Sequence, residues 1–166
     1  MPQNIRKRPN PELLDRIDHQ ILMHLQHDAR ISNKALAEKV GLAASSCLAR
    51  VRRLEEMGAL LGYHAEVDPR AYGATLEAQV TVRLEKHARA AIAAFERHVS
   101  SLSEVRGWFH VAGANDYLVH VAVRDSDHLR EFVLAAFSAR PEVSHLETAL
   151  IFSHRRNAAF GVVRGA

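Results

Sequence analysis

From Leu14 onward the chain carries two kinds of hydrophobic periodicity, and the change from one to the other divides it. Leu14, Ile17, Ile21 and Leu25 recur at helical spacing and predict a first helix of roughly 13 residues. His27-Asp28-Ala29-Arg30 interrupts the pattern. Ser32 is placed to cap a second helix from about Asn33 to Val40, with Ile31 and Leu36 as its hydrophobic staple and Gly41 as its stop. A third helix, from about Ala44 to Met57, ends at Gly58. On a wheel of about 100° per residue with Arg50 at zero, Leu54, Cys47, Val51 and Leu48 share an arc from about 40° to 160°. Ser45, Ser46, Ala49, Arg50, Arg52 and Arg53 occupy the rest.

The second half switches to a period of two. Leu60 to Val67 reads as an extended connector broken by Asp68-Pro69. Leu76, Ala78, Val80, Val82 and Leu84 then alternate with polar residues as a half-buried strand. Ala88, Ala91, Ile92, Phe95 and Val99 predict a helix, and Val105, Phe109 and Val111 a second strand. The turn Gly113-Ala114-Asn115-Asp116 leads into a third strand through Tyr117, Val119, Val121 and Val123. Ser126 is the expected cap of another helix, with Leu129, Phe132, Val133, Ala136 and Phe137 as its buried stripe. Arg140-Pro141 ends it before a fourth strand through Leu146, Thr148, Leu150 and Phe152.

The fold class is therefore α+β: a three-helix unit with a helix-turn-helix layout, followed by a ferredoxin-like βαββαβ unit with both helices on one face of an antiparallel sheet. The expected boundaries are a basic arm at 1–11, the helix-turn-helix domain at 12–62, a connector strand and hinge at 63–75, the ferredoxin-like domain at 76–153 and a tail at 154–166. The sheet's second face is left uncovered, and Trp108, His110, Leu118, His120 and Ala122 are expected on it. Such a patch calls for a second copy packed sheet to sheet.

Charge sharpens the division. Residues 1–64 hold 10 Lys/Arg against 7 Asp/Glu, whereas residues 65–166 hold 12 of each, so the whole net charge of +3 belongs to the first part. Residues 1–62 contain no aromatic side chain. A basic segment with nothing to stack on splayed bases favours duplex DNA over single strands. Arginine forks onto guanine or phosphate and serine reaches base edge or backbone, so Ser45, Ser46, Arg50, Arg52 and Arg53 are the candidate DNA contacts. The competing reading of that face is a solvated basic surface. No apolar run approaches the ~20 residues that span a bilayer, and no apolar stretch follows the basic start, so neither membrane nor secretion is expected. One cysteine, Cys47, agrees with a reducing cytoplasm.

Leu14-Asp15-Arg16-Ile17-Asp18, Asp28-Ala29-Arg30-Ile31-Ser32-Asn33, Leu36-Ala37, Val40-Gly41-Leu42 and Cys47-Leu48-Ala49-Arg50-Val51-Arg52-Arg53-Leu54-Glu55 together resemble the DNA-binding half of the Lrp/AsnC regulators. Gly113-Ala114-Asn115-Asp116-Tyr117 is similar to the turn of that family's effector-binding half. The resemblance runs from about residue 13 to 152. It implies a winged-type helix-turn-helix, a regulatory domain, dimers that assemble further to tetramers or octamers, and control by a free amino acid. Two positions depart from the family pattern: Ala43 stands where a Ser or Thr usually caps the recognition helix, so Ser45 or Ser46 is expected to take over the cap, and Ala49 stands where Glu is common.

An amino acid needs partners for its carboxylate and its ammonium. Backbone N–H groups around Gly113 and Asn115, both tolerant of positive φ, suit the first, and Asp116 the second. The competing reading is a hairpin turn whose Asp satisfies the backbone. No cofactor, metal ion or catalytic residue is expected: His19, His24 and His27 spread over about 140° of the first helix, and no nucleophile elbow, phosphate loop or paired carboxylates occur. Cys47 lies on the apolar arc and reads as a core residue rather than a redox sensor. An effector-independent DNA-organising protein, or a metal- or thiol-responsive regulator, are the alternatives.

Overall fold

The computed structural model describes residues 13–85 and 88–155, together with 157, 159 and 161. The expected arm at 1–11 and much of the expected tail lie outside them. The chain forms two compact units, the second running from Val67 to His154.

The first unit holds α1 (Arg16–His27), α2 (Asn33–Val40) and α3 (Ala44–Glu56). Ile21, Leu25, Leu36, Ala37, Val40, Cys47 and Leu54 form its core. The Ser32 hydroxyl accepts from the Ala35 N–H, and Gly41 takes φ 69°, a left-handed conformation that frees the chain to turn from α2 into α3. Where strands of a wing were implied, residues 57–68 carry none. Instead the Tyr63 hydroxyl donates to Glu55 Oε1 at 3.0 Å and holds the connector to the end of α3.

The apolar stripe of α1 contains one acid. Asp18 stands between Ile17 and Ile21 and is fully buried. A capping box joins it to Asp15: Asp15 N–H donates to Asp18 Oδ2 at 3.0 Å, and Asp18 N–H to Asp15 Oδ1 at 2.9 Å. From α3, Arg50 Nη1 donates to Asp18 Oδ1 at 2.9 Å and to Asp15 Oδ2 at 2.6 Å, and Arg53 Nη2 donates to Asp18 Oδ2. Burial by itself would raise the pKa of Asp18. The hydrogen bonds from Arg53, the Asp15 N–H and Arg50 outweigh it and hold the carboxyl below its ordinary range. Asp15 is also lowered, first by the Asp18 N–H and then by Arg50.

The second unit begins with a short 3-10 turn, Pro69–Tyr72. It continues as β1 (Leu76–Leu84), α4 (Arg89–Ser101), β2 (Val105–His110), β3 (Tyr117–Val123), α5 (Ser126–Val133), which ends in a π turn (Leu134–Ser138), and β4 (Val143–Ile151). The sheet order is β2-β3-β1-β4, all antiparallel, the ferredoxin-like arrangement. Ala78, Val80, Val82, Leu84, Val119, Val121 and Val123 point to one face and pack with Phe95 and Val99 of α4 and with Phe132, Ala136 and Phe137 from α5 and its π turn.

Two expectations are corrected here. Asp125, not Ser126, caps α5, its carboxylate accepting from the His128 N–H at 2.8 Å. More consequentially, Trp108 and His110 do not lie on the open sheet face. The β2–β3 register slips between Val105, which pairs with Val121, and Gly107, which pairs with His120. The extra residue of this bulge reverses the alternation, so Trp108 follows Val105 onto the helix side. There its indole contacts the Tyr117 ring edge-on and its Nε1 donates to Ser100 Oγ at 3.2 Å, while His110 stacks on Tyr117 with centroids 4.5 Å apart. Phe109 takes the open face instead, 68% exposed, alongside its strand partner Leu118.

Asp18→Asn keeps the side-chain shape but removes the anion that two guanidinium groups share. With those groups 30% and 44% exposed, solvent offsets part of the loss, and the expected destabilisation is about 2 kcal/mol. Both carboxyls have folded-state pKa values below their unfolded values, so their contribution is complete above an unfolded pKa of ~3.9 and is lost as pH falls through the folded values. Urea midpoints measured at descending pH below ~4 should therefore fall more steeply for the native chain than for Asp18→Asn. Parallel profiles would contradict the assignment.

Candidate functional site

Two places carry the chemistry expected from the sequence. The first is the outward face of α3. Ser45, Ser46, Ala49 and Arg52 are exposed on it. Arg50 and Arg53, expected to be presented with them, are turned onto the α1 carboxylates, and the wheel could not show this because it treats a helix without its neighbours. Among the described residues no carboxylate holds Arg52. Ala43 is the N-cap of α3 and supplies no side-chain bond; neither Ser45 nor Ser46 takes over, so their hydroxyls are left to the exposed face. The start of α3 is tied to α2 another way, by Asn33 Nδ2 donating to the Ala44 carbonyl at 2.8 Å.

The packed side of α3 matches the expected arc with one exception. Cys47 and Leu54 are fully buried, and burial pushes the Cys47 thiol up, away from the thiolate that a redox sensor needs. Leu48, placed on the same arc, is 39% exposed. With Val51, Leu25, Ile31, Leu36 and Tyr63 it lines a shallow apolar groove of about 220 Å³.

The second place is the hairpin between β2 and β3. Gly113 is exposed at φ 142°, a conformation that favours glycine, with no atom within 4 Å of where a Cβ would stand. Asn115 does not share it: among the described residues none other than glycine has positive φ, so the nest expected from both positions has only its Gly113 half. The hairpin is closed by the Val111 N–H donating to the Asp116 carbonyl at 2.8 Å. Asp116 also docks it onto the end of β1, its N–H donating to the Val82 carbonyl at 2.9 Å and its Oδ2 accepting from the Leu84 N–H at 2.7 Å. One carboxylate oxygen is thus engaged by backbone, as the competing reading of the turn required. At this end of β1 lies a depression of about 440 Å³ lined by Arg83, Leu84, Glu85, Ser144 and His145.

The residues that sequence reasoning missed are Asp15 and Asp18. A signal for them was present: an Asp-x-x-Asp pair at a helix start, with the second acid on an otherwise apolar stripe and two arginines three apart on the facing helix.

Comparison with known proteins places both units. Residues 14–55 match the AsnC-type helix-turn-helix domain and residues 77–158 the Lrp/AsnC ligand binding domain. The HTH-type transcriptional regulator AldR of Mycolicibacterium smegmatis is 42% identical over 158 residues, covering 95% of this chain and 90% of that protein. The leucine-responsive regulatory protein of Escherichia coli K12 is 37% identical over 146 residues, 88% of each chain. A transcriptional regulator from Neisseria meningitidis, solved as a complex with L-Met, superposes with a TM-score of 0.79 at 29% identity over 87% of this chain and 93% of its own. These relatives are regulators of transcription, not enzymes, and no helix among the described residues is long and apolar enough to cross a membrane. The chain belongs to the Lrp/AsnC family and is a DNA-binding transcriptional regulator that joins an AsnC-type helix-turn-helix to a ligand-binding domain.

Proposed function

We propose that this chain is a sequence-specific regulator whose DNA binding or assembly is modulated by a free amino acid bound at the β2–β3 hairpin. The observation that carries the reading is that hairpin: an exposed glycine at positive φ beside a carboxylate that fixes the turn to β1. The Gly113 N–H, the half of the expected nest that is formed, would take the ligand carboxylate, and Asp116 the ammonium. Arg83 and Glu85, lining the depression at the same end of β1, offer a second pair of opposite charges. The Neisseria relative's complex with L-Met and the leucine-responsive name of the Escherichia coli relative support an amino acid as the class of effector. A neighbouring chain would complete the pocket.

On the DNA side, Ser45, Ser46 and Arg52 meet the major groove or its flanking phosphates directly. Arg50 fixes the angle of α3 through Asp15 and Asp18, and Arg53, 44% exposed, divides its donors between Asp18 and DNA. Two copies, packed through the open sheet face around Phe109 and Leu118, place two α3 helices on the half-sites of a palindrome. The segment 1–11, with Arg6, Lys7 and Arg8, adds charge for the DNA backbone. The site of action is the cytoplasm, and assembly to tetramers or octamers follows the family.

Three measurements test this. Binding to the chain's own promoter region across a salt series should weaken for Arg52→Ala, with a log–log salt slope smaller by about 1 and an unchanged melting temperature. Native affinity for both Arg52→Ala and Ser46→Ala would remove α3 from the interface. A thermal-shift screen against the twenty amino acids should find at least one ligand that adds about 2.7 kcal/mol at 100 times its Kd, an effect lost in Gly113→Val. No response to any of them would identify an effector-independent DNA-organising protein. In sedimentation, Phe109→Asp should shift the chain from dimer toward monomer, whereas an undisturbed dimer would place the interface elsewhere.

A further inference from the structure

The open face of the sheet holds a cluster that neither DNA reading nor the hairpin uses. Glu77 on β1, His120 on β3 and His154, just past the end of β4, bring one donor atom each to within 4.8 Å of one another. Among the described residues no other group of three His, Cys, Asp or Glu side chains does so. His120 Nε2 lies 2.7 Å from Glu77 Oε2, and His154 Nδ1 lies 3.9 Å from the same oxygen. The two imidazole rings stand edge to face, centroids 5.3 Å apart.

The sheet explains why these residues meet. Glu77 pairs with Ala122 across β1–β3 and with Ile151 across β1–β4. His120 is two residues from Ala122 on the same face, and His154 is three residues beyond Ile151. Two of the three donors therefore stand on rigid, hydrogen-bonded strands in the middle of the sheet. In the single chain the relative exposures are 22% for Glu77, 27% for His120 and 47% for His154, and because the proposed pairing of two copies uses the same face, the ion would sit at or beside that interface.

We propose that Glu77, His120 and His154 form a divalent-cation site suited to zinc. Two imidazoles and a carboxylate are a borderline-soft N2O donor set, which fits Zn(II) and leaves the fourth tetrahedral position to water. Bonds of ~2.0–2.1 Å at tetrahedral angles put ligand atoms about 3.3–3.4 Å apart. The His120–Glu77 separation must open by roughly 0.6 Å and the His154–Glu77 separation must close by about the same amount, both within rotamer adjustment. Without an ion the His120–Glu77 hydrogen bond holds the carboxylate and ring together. The site departs from the expectation of no metal, which weighed only the histidines along the first helix. It stands on the second unit alone and is independent of the amino-acid reading.

The test is titration of the tag-free full chain with ZnCl2 at pH 7.5, followed by calorimetry, and with CoCl2, followed by visible absorption. One ion per chain is expected, with a tetrahedral Co(II) spectrum lacking thiolate charge transfer, since Cys47 is not a ligand. His154→Gln, at the most exposed member, should weaken zinc binding more than ~10-fold without altering the melting temperature of the ion-free protein, and His120→Gln should do the same. His19→Gln with His24→Gln, on α1, should change nothing. No saturable binding, or binding abolished by the α1 substitutions and kept by His154→Gln, overturns the proposal. Failure here leaves the amino-acid screen unaffected, and the converse also holds.

Discussion

The buried carboxylate of Asp18 is the constraint on which the presentation of the third helix depends. A charge taken fully out of water is tolerated only when it is paired and hydrogen-bonded on every side. Here the two guanidinium groups that satisfy it come from α3, and the capping box that orients it comes from the start of α1. One small network therefore does three things. It stops α1 at its N-terminus, fixes the rotation of α3 about its own axis, and leaves Arg52, of the three α3 arginines, unheld by any carboxylate among the described residues. The apolar core around Ile21, Cys47 and Leu54 drives the helices together, but such packing tolerates rotation better than a forked, charge-assisted contact does.

The second unit shows the same division between bulk burial and local specification. Valines on β1 and β3 and the aromatics of α4 and α5 build a core that any right-period sequence approximates. A single bulged residue then decides which face Trp108 and Phe109 occupy. Because of it, the tryptophan closes the helix side next to Tyr117, and a phenylalanine remains on the open sheet. Asp116 plays an equivalent local part, tying the β2–β3 hairpin to the end of β1.

Most of the fold was legible in the sequence because it rests on periodicity. The three N-terminal helices, the βαββαβ order, the Ser32 cap, the Gly41 stop and the burial of Cys47 all follow from spacing and residue type. What was not legible depends on pairing between distant segments. The bulge after Val105 leaves no mark in a pattern where Phe109 and Trp108 are both apolar. Asp125 and Ser126 are both competent caps, and only backbone geometry chooses between them. On α3, the basic face reads correctly as a wheel, but once α1 is beside it Arg50 is drawn onto Asp15 and Asp18 and Arg53, still 44% exposed, is partly engaged by Asp18. Glu77, His120 and His154 are separated by 43 and 34 positions, so only the strand register brings them together.

The central claim, that Asp18 sets the α3 surface by engaging Arg53 and Arg50 but not Arg52, is tested most directly by paired double-mutant cycles read in unfolding free energy. Asp18→Asn combined with Arg53→Gln should show a coupling of about 1 kcal/mol or more, while Asp18→Asn combined with Arg52→Gln should be additive within ~0.5 kcal/mol. Additivity in the first cycle, or coupling of equal size in the second, would contradict the account.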